Sequence, residues 1–124
     1  MREIKFRAWN VKGLYYEYIT DLYWFEENAV HGFLDPKWVF EEWTGINGKD
    51  GREIYEGDIV RTQTGEEWED DEWIPSYFIG DIGWIDATVG YRCGDLELWA
   101  NDLIYDSEVV GNIHENPELL EGKD

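Results

Sequence analysis

Residues 53–61 read EIYEGDIVR, and the fold turns on that run. Ile54, Ile59 and Val60 are branched apolar residues of the kind strands favour, and they stand on either side of one glycine, Gly57. A glycine so placed marks a bend or bulge, so residues 53–55 and 57–61 read as a strand entering a small β-barrel. Just upstream, Asn47-Gly48 and Asp50-Gly51 supply residues that tolerate positive φ, as a tight hairpin turn requires. Before them Trp38 to Trp43 reads as a strand, set off by the break at Asp35-Pro36. Ile4, Phe6 and Ala8 alternate with Lys5, Arg7 and Trp9, the period-two pattern of a strand with one face inward. Tyr15 to Ile19 and Leu22 to Phe25 are also β-prone, completing a short meander.

Downstream, Tyr77 to Ile85 and Asp86 to Tyr91 continue the β pattern, and Gly80, Gly83 and Gly90 suit the bent strands of a small closed barrel. Asp95 to Tyr105 fits a strand through Leu96, Leu98 and Ala100 and a helix face through Leu96, Trp99 and Leu103. A strand followed by a short helical turn at 101–104 is expected there. Val109 to His114 reads as a last strand, and Asn116-Pro117-Glu118 starts a helical turn with Asn as N-cap. The fold class is therefore mostly β, with a barrel in the C-terminal part and a β-rich N-terminal subdomain.

The chain has 124 residues, 43% of them apolar and 17% aromatic, which is enough for one core and excludes disorder of the whole chain. Its net charge is −19, a field that repels phosphate backbones and anionic lipid, so neither nucleic acid nor a membrane is expected as a direct partner. The acidity is uneven. Residues 1–62 hold 12 acids against 8 bases, and residues 63–124 hold 17 against 2, Arg92 and Lys123. No repeat and no Pro-, Gly- or Ser-rich linker divides the two parts. Two subdomains sharing one core are expected, 1–43 and 44–124, the second carrying an acidic loop at 66–72. One cysteine, Cys93, precludes an internal disulfide and suits a reducing cytoplasm. The opening MREIKFRAWN interleaves charges with apolar residues, unlike a signal peptide, and no run of 18 apolar residues occurs.

Chemistry-bearing motifs are sparse. Ser76 and Ser107 are the serines and His31 and His114 the histidines, none in a nucleophile elbow or a triad-like arrangement. No metal or cofactor motif is found: residues 47–58 resemble a calcium loop in composition, but Arg52 stands at the sixth position, where Gly is needed. His114 reads as a solvated or edge-capping imidazole. The conspicuous feature is Glu66, Glu67, Trp68, Glu69, Asp70, Asp71, Glu72 and Trp73, six carboxylates interleaved with two indoles. It reads first as a solvated hairpin loop and, functionally, as a surface imitating the charge spacing of nucleic acid for a host protein with a basic site.

Three segments carry a resemblance. Arg2-Glu3-Ile4-Lys5-Phe6-Arg7-Ala8-Trp9 resembles an R-x-I-K-F-R-A-W start. Thr44-Gly45 followed by Glu53-Ile54-Tyr55-Glu56-Gly57-Asp58-Ile59-Val60 resembles a T-G…E-I-Y-E-G-D-I-V core. Glu108-Val109-Val110-Gly111-Asn112-Ile113-His114-Glu115-Asn116-Pro117-Glu118-Leu119-Leu120 resembles an E-V-I-G-N-I-Y-E-N-P-E-L-L ending. These are patterns of the YopX family of small bacteriophage and prophage proteins. His114 stands where that family commonly has Tyr, Asp50-Gly51 where Asn-Gly is common, and residues 63–94 match no pattern of it. The resemblance implies an SH3-like barrel in the C-terminal part and makes an oligomer plausible. It implies no activity, substrate or cofactor.

The expectation that follows is a non-enzymatic phage accessory protein of the host cytoplasm, acting by protein contacts and self-associating through residues 1–43. The alternatives are an acidic decoy for a nucleic-acid-binding or defence protein and, behind it, a hydrolase using carboxylates and a divalent ion.

Overall fold

A computed structural model describes residues 5–21, 23–30, 33–85, 90–94 and 107–121. Among them the chain is mostly β: β1 (Phe6–Asn10), β2 (Tyr15–Ile19), a one-turn helix α1 (Tyr23–Glu27), β3 (Ala29–Val30), β4 (Phe33–Leu34), β5 (Trp38–Asn47), β6 (Glu53–Tyr55), β7 (Asp58–Glu69), β8 (Glu72–Ile85), β9 (Gly90–Cys93), β10 (Ser107–Asn112) and a 3-10 turn at Pro117–Leu120. One sheet runs β2-β1-β5-β6 and another β10-β7-β8-β9, with β3 and β4 as a separate small pair. All pairings are antiparallel. No helix among the described residues is long and apolar enough to cross a membrane.

The turns form where their chemistry was legible. Gly51 lies at φ +84, and the Gly48 amide donates to the Arg52 carbonyl at 2.8 Å to close the β5–β6 hairpin. Asn10 organises the β1–β2 turn, its side-chain oxygen accepting from the Lys12 and Gly13 amides. Asn116, expected as an N-cap, makes no side-chain cap bond; its Oδ1 instead accepts from the Asn112 amide at 3.2 Å, tying the 3-10 turn back to the end of β10.

Three local expectations change. Residues 23–25, expected as strand, are helical: the Tyr23 amide donates to Asp21 Oδ1 at 3.0 Å, and one turn carries Trp24 into contact with Trp38 and Phe40. Packing there outweighs the β-preference of Tyr, Trp and Phe. Strand β1, expected to bury one face, buries both. Ala8 packs with Trp24 and Trp38, while Arg7 and Trp9 on the other face are also buried, because Tyr16, Tyr55, Asp58 and His114 cover that face. The acidic run, expected as a loop, is the end of a β-ribbon in which only Asp70 and Asp71 form the turn. Residues 86–89 and 95–106, expected partly as strand and helical turn, lie outside the described residues, as does His31.

The apolar interior falls into two clusters. Ala8, Trp24 and Trp38 pack with Ile19, Phe25 and Phe40 against the first sheet. Ile54, Val60, Ile82, Cys93 and Val109, with Ile46 and Phe78, join β5 and β6 to the second sheet. Strand β5 runs through residues 43 and 44 without interruption. Ile59 is fully buried.

Candidate functional site

Where the two sheets meet, the structure buries charge. Arg7, only 3% exposed, stands opposite Glu41 in the β1–β5 register. Its Nε donates to Glu41 Oε1 at 2.8 Å, and a second guanidinium nitrogen donates to Asp58 Oδ1 at 2.9 Å and to the Glu56 carbonyl at 3.2 Å. The guanidinium carbon lies 4.1 Å from the ring centre of Tyr16 and 4.7 Å from that of Tyr55, so two phenol faces cover the cation. The Tyr16 hydroxyl donates to Glu41 Oε1 at 2.9 Å. On the far side of Glu41, Oε2 shares a 2.7 Å hydrogen bond with His114 Nε2, whose ring stacks on Trp9 with centroids 4.7 Å apart.

Local backbone geometry positions each member. Between β6 and β7 the chain reverses over Glu56 and Gly57, with the Tyr55 amide donating to Asp58 Oδ2 at 2.8 Å. Gly57 has φ +86, and a Cβ there would run into the Glu41 carboxylate, so glycine is required by conformation and by space. His114 is set by the turn after β10. Asn112 Oδ1 accepts from the His114 and Glu115 amides, and the Ile113 amide donates to the Gly57 carbonyl at 2.9 Å.

The electrostatics follow from burial and pairing. Burial works against the Arg7 cation, but Asp58 and then Glu41 more than offset it and hold the guanidinium above its usual range. Burial raises the Tyr16 phenol well above its ordinary value, with Arg7 opposing. It pushes Tyr55 up to about 12, helped by the nearby Glu53 carboxylate. Burial also lifts Asp58 above the normal carboxylate range, against the pull of Arg7 and the Tyr55 amide. Chemically this arrangement is a clamp: it joins β1, β2 and β5 of one sheet to β7 and the segment after β10.

The clamp was missed in the sequence, where the matched segments read as apolar strands and turns. The signal that could have found it is that each segment contributes to it: Arg7 and Trp9 from the first, Tyr55 to Asp58 from the second, His114 from the third. Glu41, the group they share, lies in none of them. His114 is thus half-buried and bonded to Glu41, more engaged than an edge-capping imidazole. Ser107 is buried and hydrogen-bonded to Thr62, while Ser76 pairs with Gly65 in the β7–β8 ribbon.

The acidic run stands elsewhere, at the tip of the ribbon formed by β7 and β8. Asp70 and Asp71, at φ 49 and 64, make a two-residue reversal of the twist-matched type. Glu69 pairs with Glu72, Trp68 with Trp73 and Glu67 with Ile74. Since paired residues share a face, Glu66, Trp68 and Trp73 lie on one side with Pro75, and Glu67, Glu69 and Glu72 on the other with Ile74. All eight residues from Glu66 to Trp73 are exposed. The two indoles meet edge to face with centroids 5.1 Å apart. Among the described residues no group of His, Cys, Asp and Glu is arranged to hold a metal ion.

Comparison with known proteins bears on the fold and the family. A crystal structure of protein EF1440 from Enterococcus faecalis is similar along 98% of this chain and 100% of its own, with a TM-score of 0.64 at 23% sequence identity, a likeness of fold. No match is found among curated proteins. The family profile described as YopX protein matches residues 14–121, a span that takes in the Gly57 turn, Glu41 and His114, and the chain therefore belongs to the YopX family.

Proposed function

We propose that the protein is a non-enzymatic phage or prophage accessory protein that acts in the host bacterial cytoplasm through protein contacts, and that it self-associates through residues 1–43. The observation that carries this reading is where large apolar side chains remain exposed. In the N-terminal part these are Val11 and Leu14 at the β1–β2 turn, Tyr15 and Tyr18 on opposite faces of β2, and Tyr23 at the start of α1; another group, Trp68, Trp73, Ile74 and Tyr77, lies on the β7–β8 ribbon. Uncovered apolar groupings of this kind mark contact surfaces. The N-terminal group sits in the half of the chain with the smaller net charge, where copies approach at the least electrostatic cost. In this reading β7 to β10, closed by β5 and β6, form an SH3-like barrel, a grouping supported by the packing of Ile46 and Ile54 against Val60 and Ile82.

Sedimentation of the protein at low and moderate salt tests it. An assembly larger than a monomer, tightened by salt and dissociated by Leu14→Asp with Tyr23→Asp, is expected. A monomer at tens of micromolar in both salts overturns it.

The acidic decoy is the second reading. It is favoured by the exposed carboxylates on both faces of the ribbon tip and by the lack of any Lys or Arg between Arg61 and Arg92. Its test is whether duplex DNA displaces the protein from an immobilised basic DNA-binding domain.

A further inference from the structure

The β7–β8 ribbon is two-faced, and its faces differ in chemistry. Trp73, Pro75 and Tyr77 alternate along β8, so they share the face on which Trp68 stands opposite Trp73. This stripe ends at the base of the ribbon, where the Arg61 guanidinium lies over the Tyr77 ring at 5.0 Å and is ion-paired with Glu108. Trp68 is 57% exposed, Trp73 61% and Tyr77 49%. The opposite face of the tip carries Glu67, Glu69 and Glu72. The edge-to-face packing of the indoles and their fixed register leave little side-chain freedom to lose on contact, the condition under which aromatic anchors bind well.

Resting on the reading of this protein as one that acts through protein contacts, we propose that the aromatic face of the ribbon docks against the apolar face of a helix of another protein, flanked by Lys and Arg. Charge selects the occupant. Glu66 shares the indole face, Asp70 and Asp71 form the turn at its end, Glu67, Glu69 and Glu72 lie behind it, and no basic residue occurs from 62 to 91. A second copy of the same ribbon would set these carboxylates against their like, and nucleic acid or anionic lipid would meet the same repulsion. Basic flanks complement the carboxylates while the apolar helix face meets the Trp68–Trp73 pair, so affinity depends on both features.

Fluorescently labelled helical peptides separate these contributions: one with a leucine face flanked by lysines, one with serine replacing leucine, and one with glutamate replacing lysine. Anisotropy titrations should show the Leu/Lys peptide bound about tenfold or more tightly than the Ser/Lys peptide, with the Leu/Glu peptide unbound. Trp68→Ser with Trp73→Ser should lower Leu/Lys affinity to the Ser/Lys level at an unchanged unfolding midpoint, and the milder Trp68→Tyr with Trp73→Tyr should retain part of it. Equal binding of the Leu/Lys and Ser/Lys peptides would overturn the proposal in favour of charge alone. Unchanged binding by the Trp variants, Leu/Glu binding as tight as Leu/Lys, or no binding of Leu/Lys overturns it as well. Sedimentation of the same variants keeps the two readings apart: a Trp variant that self-associates normally yet loses the peptide fails only at the ribbon, whereas a monomeric wild type that binds the peptide removes self-association and leaves the docking face standing.

Discussion

Arg7 and Glu41 face each other across β1 and β5 and meet at 2.8 Å, with 3% and 6% of their side chains exposed. Removing one partner of such a pair leaves the other charged in a dry site. Arg7→Met should therefore cost about 3–5 kcal/mol of stability, and Glu41→Gln less, because Arg7 keeps Asp58 as a partner. The two losses should not add, because Arg7→Met strands both Glu41 and Asp58 in the parent but only Asp58 once Glu41 is neutral. A double-mutant cycle by urea unfolding reads the coupling directly, and additive losses would place the clamp's stabilisation elsewhere.

Gly57→Ala is a second test of the same junction. The new methyl must adopt a left-handed backbone conformation and displace the Glu41 carboxylate, so a loss of about 3 kcal/mol or more is expected. That is a large share of what holds a domain of this size folded. Gly51→Ala, also at positive φ but with open space around it, bears only the conformational cost of about 1 kcal/mol. Thermal unfolding of the two variants side by side should show Gly57→Ala as the much lower midpoint.

At the ribbon tip the expected effects are small and of the opposite sign. Glu69 and Glu72 are like charges directly opposite on an exposed pair, and neutralising Glu69, Asp70 and Asp71 should leave the cooperative transition intact or move it slightly upward at low salt. Asp71→Gly should stabilise by about 0.5 kcal/mol, since glycine removes strain at φ 64 but also loosens the unfolded chain. A loss of cooperative unfolding on neutralisation would show that the carboxylates hold structure together.

Burial raises the carboxyls of Glu56 and Asp58 above their ordinary values. In the acid range above those values, the folded protein holds protons that the unfolded chain releases. Stability therefore rises as pH falls through that range and declines as pH rises through it. The unfolding midpoint at moderate salt should fall as pH rises from just above the ordinary carboxyl range toward neutrality, and Glu56→Gln should make that fall smaller. A midpoint that falls on acidification over this range contradicts the assignment.

What the sequence by itself determined was local. Asn47 to Gly51 fixed a hairpin turn, Gly57 marked a bend that the structure makes a reversal, and the branched residues Ile54, Ile59 and Val60 marked the strands beside it, because turn chemistry and β-propensity act over a few residues. The acidic tip was visible as composition, and the three family-like segments were legible as strings. What only the tertiary structure decided was which side of a strand was buried and what its polar residues met. Arg7 looked like the outward residue of a half-buried strand until Tyr16, Tyr55 and Asp58 closed over it. Trp24 looked β-prone until Trp38 and Phe40 offered a surface that one helical turn could reach. Glu41 and His114 are 73 residues apart, and no local pattern encodes their meeting. It arises because the β6–β7 reversal at Gly57 brings the second sheet against the first, and a buried charge persists there only where partners from distant strands converge on it.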